Sequence, residues 1–143
     1  MPDEFSTAWE SFFRATRRAR GRAIGPLEGS SLTLAQYQLL EALQTAERLP
    51  VSELAASAGV APPTATRMLD ALVREGLVAR TPCADDRRVV RVALTEDGRD
   101  AVATAGRQVA ERRARVRDQL SPDEQAQAAA LLRRLAAVLE DEL

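Results

Sequence analysis

Apolar residues recur at helical spacing along most of the chain and turn to short β-like runs between residues 77 and 94. From roughly Glu4 to Ile24, Phe5, Trp9, Phe12, Ala19 and Ala23 form one stripe, with Thr16 as its polar member and Phe13 beside it. Arg14, Arg17, Arg18, Arg20 and Arg22 cover the other sides, and Gly25-Pro26 stops the helix. Most of the aromatic residues lie ahead of that stop, where a helix outside any domain core has little to bury them against, and a partner subunit would provide it.

A second helix starts at a capping box, in which Thr33 accepts from first-turn amides and Gln36 reaches back to the Thr33 amide. Tyr37, Leu39, Leu40 and Leu43 supply its apolar positions. Pro50 ends the connection, and Ser52 is expected to cap a short third helix that buries Leu54, Ala55 and Ala58. Gly59 makes a sharp turn with Val60 plugging the angle between helices, and a fourth helix opens at Pro62-Pro63 and closes at Gly76. On it Ala65, Met68, Leu69, Leu72 and Val73 point inward, while Pro63, Thr64, Thr66, Arg67, Asp70 and Arg74 point outward.

Two strands follow, one over Leu77 to Pro82 and one over Val89 to Leu94, with the charged tip Ala84-Asp85-Asp86-Arg87-Arg88 between them. Thr95 caps a long helix whose stripe is Val102, Ala105, Val109, Val116 and Leu120, with Glu96 and Asp97 where the helix dipole favours acid. Ser121-Pro122-Asp123-Glu124 restarts the chain with a capping box, and the last helix is expected to bury Ala128, Leu131, Leu132, Leu135, Val138 and Leu139. The fold class is mainly α with a small β wing: a winged helix-turn-helix flanked by N- and C-terminal dimerisation helices. The division is 1–30 for the N-terminal dimerisation helix, 31–96 for the winged unit and 97–143 for the C-terminal dimerisation helices.

Helix, short turn, helix is an arrangement whose second member can enter a DNA major groove. The outward N-terminal half of residues 62–75 carries two hydroxyls and a guanidinium, groups that bond phosphates or base edges, Arg forking onto guanine O6 and N7. An ordinary solvated helix face is the competing explanation of the same residues. The hairpin directly behind that helix reads as a wing, in which Asp86 holds a neighbouring Arg that extends into a minor groove. Arg88 is the inserted residue on this reading and Arg87 helps at phosphate. A charged exposed turn would account for the acids but not for two adjacent Arg at the tip.

At 143 residues the chain is about one domain long, and its apolar content is dominated by Ala, so further burial against a partner is favourable. Its net charge of −1 gives weak electrostatic support for a nucleic-acid partner. All 20 basic residues are Arg, which reflects coding bias before function, and residues 51–94 hold six Arg against five acids. Cys83 is the only cysteine, so no intramolecular disulfide forms and a secreted disulfide scaffold is excluded. The N-terminus lacks the layout of a signal peptide and no apolar run nears the roughly 20 residues that span a bilayer, so a soluble, unprocessed, cytoplasmic protein with no membrane partner is expected.

Residues 34–98 resemble the MarR family of winged-helix regulators. The resemblance is carried by Asp86-x-Arg88-x-x-x-Val92-x-Leu94-Thr95-x-x-Gly98, by Val51-Ser52-Glu53-Leu54-Ala55, by Gly59-Val60-Ala61-Pro62-Pro63-Thr64-Ala65-Thr66-Arg67, and by Leu72-Val73-Arg74-Glu75-Gly76-Leu77-Val78, in that family's order and spacing. It implies a homodimer on the double-stranded DNA of a pseudo-palindromic operator, with Thr64, Thr66 and Arg67 on bases and phosphates and Arg88 in the minor groove. By family analogy it favours repression. Ala61 departs from the pattern, since a Ser often caps the reader helix there, and the phosphate contact at that helix end is weakened accordingly.

The resemblance also implies release from DNA by a small aromatic or anionic effector in a crevice between the dimer helices and the winged unit. Trp9, Phe13, Arg17 and Tyr37 are the candidates to line it, with core or dimer packing as the alternative role for the same four. The chain contains no His, no phosphate-binding Gly-rich loop and no nucleophile elbow, so neither a metal site, nor a cofactor, nor a catalytic constellation is expected. Cys83, at the base of the wing, is either a spectator or a redox sensor activated by nearby Arg. A winged helix used as a protein-interaction module is the other functional class that the near-neutral charge permits, although such a surface would not need Thr64, Arg67 and Arg88 together.

Overall fold

A computed structural model describes residues 1–22, 25–86 and 88–142. Ala23, Ile24, Arg87 and Leu143, together with the side chain of Arg22, lie outside the described residues. The elements run α1 (Glu4–Arg22), α2 (Leu34–Leu40) with a 3-10 turn at Glu41–Gln44, β1 (Leu49–Pro50), α3 (Val51–Ala58), α4 (Pro62–Arg74), β2 (Val78–Pro82), β3 (Val90–Leu94), α5 (Glu96–Arg117) and α6 (Pro122–Glu142). The chain packs as two units, Met1–Arg107 and Gln108–Leu143.

In the first unit, Asp3 accepts from the Ser6 amide (2.8 Å) at the start of α1. The Thr33–Gln36 capping box opens α2 as expected, with the Gln36 amide 3.1 Å from Thr33 Oγ1 and the Thr33 amide 3.0 Å from Gln36 Oε1. The core is a leucine cluster: Leu39 and Leu40 of α2, Leu54 of α3, Leu69 and Leu72 of α4, with Val92 of β3 and Val102 of α5, all fully buried. Leu27 and Leu32 join it from the loop before α2, which closes through the Leu27 amide and the Leu32 carbonyl oxygen at 2.7 Å. Burying side chains of this kind contributes on the order of 1.5–3 kcal/mol each.

The wing is more than a hairpin. Its strands are antiparallel in the order β1-β3-β2, with Leu49 and Pro50 paired to Val92 and Arg91, and Val78 to Pro82 paired to Leu94 to Val90. Because β1 runs straight into α3, Pro50 is the residue that precedes the helix, in extended conformation (φ −61°, ψ 149°), and no side chain caps it. Ser52 is the second residue of α3 and does not cap it, a correction that follows from this strand-to-helix junction.

Three inward assignments also change. Ala58 and Met68 are half-buried, and Val73, near the C-terminal end of α4, is 37% exposed. Thr95 behaves as expected: its hydroxyl accepts from the Gly98 amide (3.0 Å) and donates to the Gly76 carbonyl oxygen (2.6 Å), so one side chain ties the start of α5 to the turn after α4.

The second unit comprises the end of α5, a turn and α6. The Ser121–Glu124 capping box is present, and the Gln125 side-chain amide donates to the carbonyl oxygens of Leu120 (3.0 Å) and Arg117 (3.3 Å), satisfying the end of α5. The expectation that α6 buries its stripe does not hold in the single chain. None of its described residues is buried, and Leu131, Leu132, Val138 and Leu139 are 43–58% exposed, because two helices alone offer no enclosed core. Val116 and Leu120 are exposed for the same reason.

Candidate nucleic-acid interface

The turn between α3 and α4 depends on glycine. Gly59 has φ +65°, and the amides of Gly59 and Val60 return to the carbonyl oxygens of Ala56 (3.1 Å) and Ala55 (3.0 Å), closing α3 with a left-handed cap. α4 then begins at Pro62, after Ala61 in extended conformation and with no side-chain cap. Pro62 and Pro63 carry no N–H, so two of the orphan amides that a helix normally offers an anion are missing here. What the helix start presents is the Thr64 amide and side chain.

The outward face of α4 is largely as the periodicity indicates. Pro63, Thr66, Arg67 and Arg74 are exposed, Asp70 is half-buried, and Thr64 stands roughly a quarter-turn away and is half-buried. Among the described residues no hydrogen bond or ion pair engages the Thr64 or Thr66 hydroxyl or the Arg67 or Arg74 guanidinium. Four polar groups therefore stand ready for an external partner along about three turns of helix.

At the wing tip, the Cys83 amide donates to the Val89 carbonyl oxygen (2.9 Å) and the Val89 amide to that of Asp86 (3.0 Å), which closes the loop. Asp86 grips Arg88 three times over: its Oδ1 accepts from the Arg88 amide (3.0 Å) and from Arg88 Nε (3.2 Å), and its Oδ2 from Arg88 Nη2 (3.5 Å). The Arg88 amide foremost, and its side chain second, hold the Asp86 carboxyl below its ordinary value of 3.8. The Arg88 side chain remains 91% exposed, so it is oriented without being withdrawn from solvent. Arg87, the other tip cation, is outside the described residues.

One contact lies outside the expectations from sequence. Arg80 Nη2 lies 2.6 Å from Asp70 Oδ1 and 3.3 Å from the Thr66 carbonyl oxygen, joining β2 to the outward side of α4. A signal for it existed, because Arg80 is in phase with buried Val78 along β2, which aims its side chain toward the helix side of the strand. A groove of about 390 Å³ separates wing from helices, with Ser52, Thr66, Arg80 and Arg88 among its walls.

Of the four effector candidates, Trp9, Phe13 and Arg17 come together with Glu10 and Arg14 around a groove of about 410 Å³ on α1. Trp9 and Phe13 rings stack tilted with centroids 4.7 Å apart. Tyr37 is elsewhere: it is buried in the core, where its ring approaches Gly106 of α5. Cys83 is half-buried, and no cluster of three potential metal ligands exists among the described residues.

Comparison with known proteins agrees with this geometry. A family model described as MarR family matches residues 32–90. The HTH-type transcriptional repressor MdtR of Bacillus subtilis (strain 168) is 35% identical over 116 residues, which cover 80% of this chain and 74% of that protein. The HTH-type transcriptional regulator YhbI of the same organism is 37% identical over 84 residues, covering 59% of this chain, so the match spans about half (54%) of the length of that relative. Among solved structures, a mutant MarR from E. coli complexed with operator DNA superposes with a TM-score of 0.76 at 27% identity, covering 94% of this chain and 99% of that one. The MepR–DNA complex of S. aureus gives a TM-score of 0.78 at 26% identity, covering 92% and 97%.

Proposed function

This chain belongs to the MarR family of transcriptional regulators, and from that premise we propose that it is a sequence-specific DNA-binding repressor acting as a homodimer on a pseudo-palindromic operator. The observation that carries the proposal is the outward face of α4, where Thr66, Arg67 and Arg74 are exposed and, among the described residues, their side chains have no intramolecular partner, beside a wing that presents Arg88 on the Asp86 carboxylate. On this reading Thr64, Thr66 and Arg67 meet bases and phosphates in the major groove, Arg74 meets backbone, and the wing, through Arg88 and Arg87, reaches the minor groove. The missing proline amides shift phosphate binding from the helix start to these side chains.

Dimerisation is supported by the exposed leucines of α6 and by the exposed Phe5 and Phe12 of α1, apolar surface that a second copy would remove from water. Both helices lie outside residues 31–96. An effector is supported by the α1 groove, in which Trp9, Phe13 and Arg17 suit a small aromatic or anionic compound; Tyr37 does not line that groove. No helix among the described residues is long and apolar enough to cross a membrane, which suits a regulator that works on DNA in the cytoplasm.

The test is fluorescence anisotropy of the full chain against a duplex selected from a random pool, and against a scrambled version of it, at two salt concentrations. Tighter binding to the selected duplex, weakening with salt and saturating at one dimer per site, is the expected result. Equal, feeble binding to both duplexes would overturn it and favour a protein-docking role.

A further inference from the structure

Asp70 shares the outward face of α4 with Arg67, three residues before it, and Arg74, four after it, and helical spacing allows it to pair with either. It pairs with neither among the described residues; its partner is Arg80 of β2, at 2.6 Å. The same Arg80 nitrogen donates to the Thr66 carbonyl oxygen one turn earlier on α4. Strand phase explains the reach. Arg80 stands opposite fully buried Val92 and in line with buried Val78, so its side chain leaves β2 on the helix-facing side. Side chains 32% and 44% exposed make a pair this open to water a small contributor to folding stability, so its consequence lies in what each charge is kept from doing.

We infer that Arg80 is a positioning residue for DNA recognition, an inference that rests on α4 being the reader. By engaging Asp70 it keeps that carboxylate off the Arg67 guanidinium. Arg80 itself touches no base. Without it, Asp70 turns to Arg67 or Arg74, the fork intended for guanine is diverted, and an uncompensated carboxylate faces the phosphates.

The experiment compares the parent with Arg80→Ala, Asp70→Asn and the double variant, each as the full chain, reading the ratio of affinities for the selected and scrambled duplexes. The ratio cancels the general effect of a changed net charge. Arg80→Ala is expected to lose about tenfold in the ratio, Asp70→Asn to stay within about twofold of the parent, and the double variant to recover to within about threefold, because the competing carboxylate is gone. A double variant as poor as Arg80→Ala would overturn the inference, since a lost anchor or a lost phosphate contact is not restored by removing Asp70. Arg80→Ala with the parent's ratio would overturn it too, while leaving α4 as the reader. A parent with no discrimination at all would overturn the reading of α4 and this inference with it. Thermal melts establish that each variant is folded, and Arg80→Gln takes the place of Arg80→Ala if the latter is not.

Discussion

Gly98 lies so close over the Leu77 carbonyl oxygen that a methyl group in place of its hydrogen would overlap that oxygen and the carbon behind it. The approach is imposed from both sides. The Thr95 amide donates to the same Leu77 oxygen at 3.1 Å, drawing the first turn of α5 down onto the start of β2. The obstacle is backbone, which cannot swing aside as a side chain would. Gly98→Ala is therefore expected to destabilise the fold by about 1–3 kcal/mol, read as a lower midpoint in urea unfolding; an unchanged midpoint would mean that the junction relaxes freely.

Asp86 and Arg88 should behave as one device. Replacing Arg88 by Ala removes the wing's oriented cation, and replacing Asp86 by Ala leaves the cation but frees its side chain. Each is expected to weaken binding to the selected and scrambled duplexes alike by about tenfold, and Arg88→Ala, which removes a side chain 91% exposed, to leave the melting temperature unchanged. If Asp86→Ala binds as the parent does while Arg88→Ala does not, the orienting role of Asp86 is refuted.

The pH dependence of that device follows from the depressed Asp86 carboxyl. Its grip on Arg88 is fully present above the ordinary value of 3.8 and is lost only as pH falls through the lower value of the folded wing. Carbon NMR of the Asp86 carboxyl should show a midpoint below 3.8. Arg88→Ala should raise it only part of the way, because the larger cause is the Arg88 amide, which Ala retains. A full return in that variant would assign the shift to the guanidinium.

Arg67→Ala is expected to relax base preference at one operator position per half-site by about 1–3 kcal/mol if the side chain forks onto a guanine. Competition against duplexes substituted one base at a time reads this directly. A uniform loss across all of them would place Arg67 on phosphate.

The leucines of α6 give a test of assembly. Leu132→Glu with Leu139→Glu puts two carboxylates on a face that is 43–56% exposed in the single chain. Sedimentation is expected to show a dimer for the parent and a monomer for the double variant, with helical content retained. A variant that stays dimeric would move the interface off this face.

Much of this was legible in the chain because the signals are local. The Thr33–Gln36 and Ser121–Glu124 boxes are hydrogen bonds between residues three apart, Gly59 marks a backbone angle, and Asp86-x-Arg88 closes within a single turn. What escaped depends on partners distant in sequence. β1 is only two residues long, and its Pro50 reads as a breaker until Arg91 of β3 is beside it, which is why Ser52 looked like a cap. Leu27 and Leu32 sit in a loop with no periodicity, yet fill the core. Asp70 and Arg80 are ten residues apart on different element types, so only strand phase hinted at their meeting. The α6 stripe is legible as apolar, yet it is not buried in the single chain, because helical spacing says which side chains share a face and is silent on which molecule covers it.

The three-stranded sheet has one further consequence, for solubility. Its two outer strands, β1 and β2, each end in proline, Pro50 and Pro82. Proline offers no amide hydrogen to an incoming strand, so at both margins the ladder of donors is interrupted where another chain would start to zip on. A small, projecting ribbon is the part of such a molecule most prone to edge-to-edge aggregation, and here both of its borders are chemically blunted.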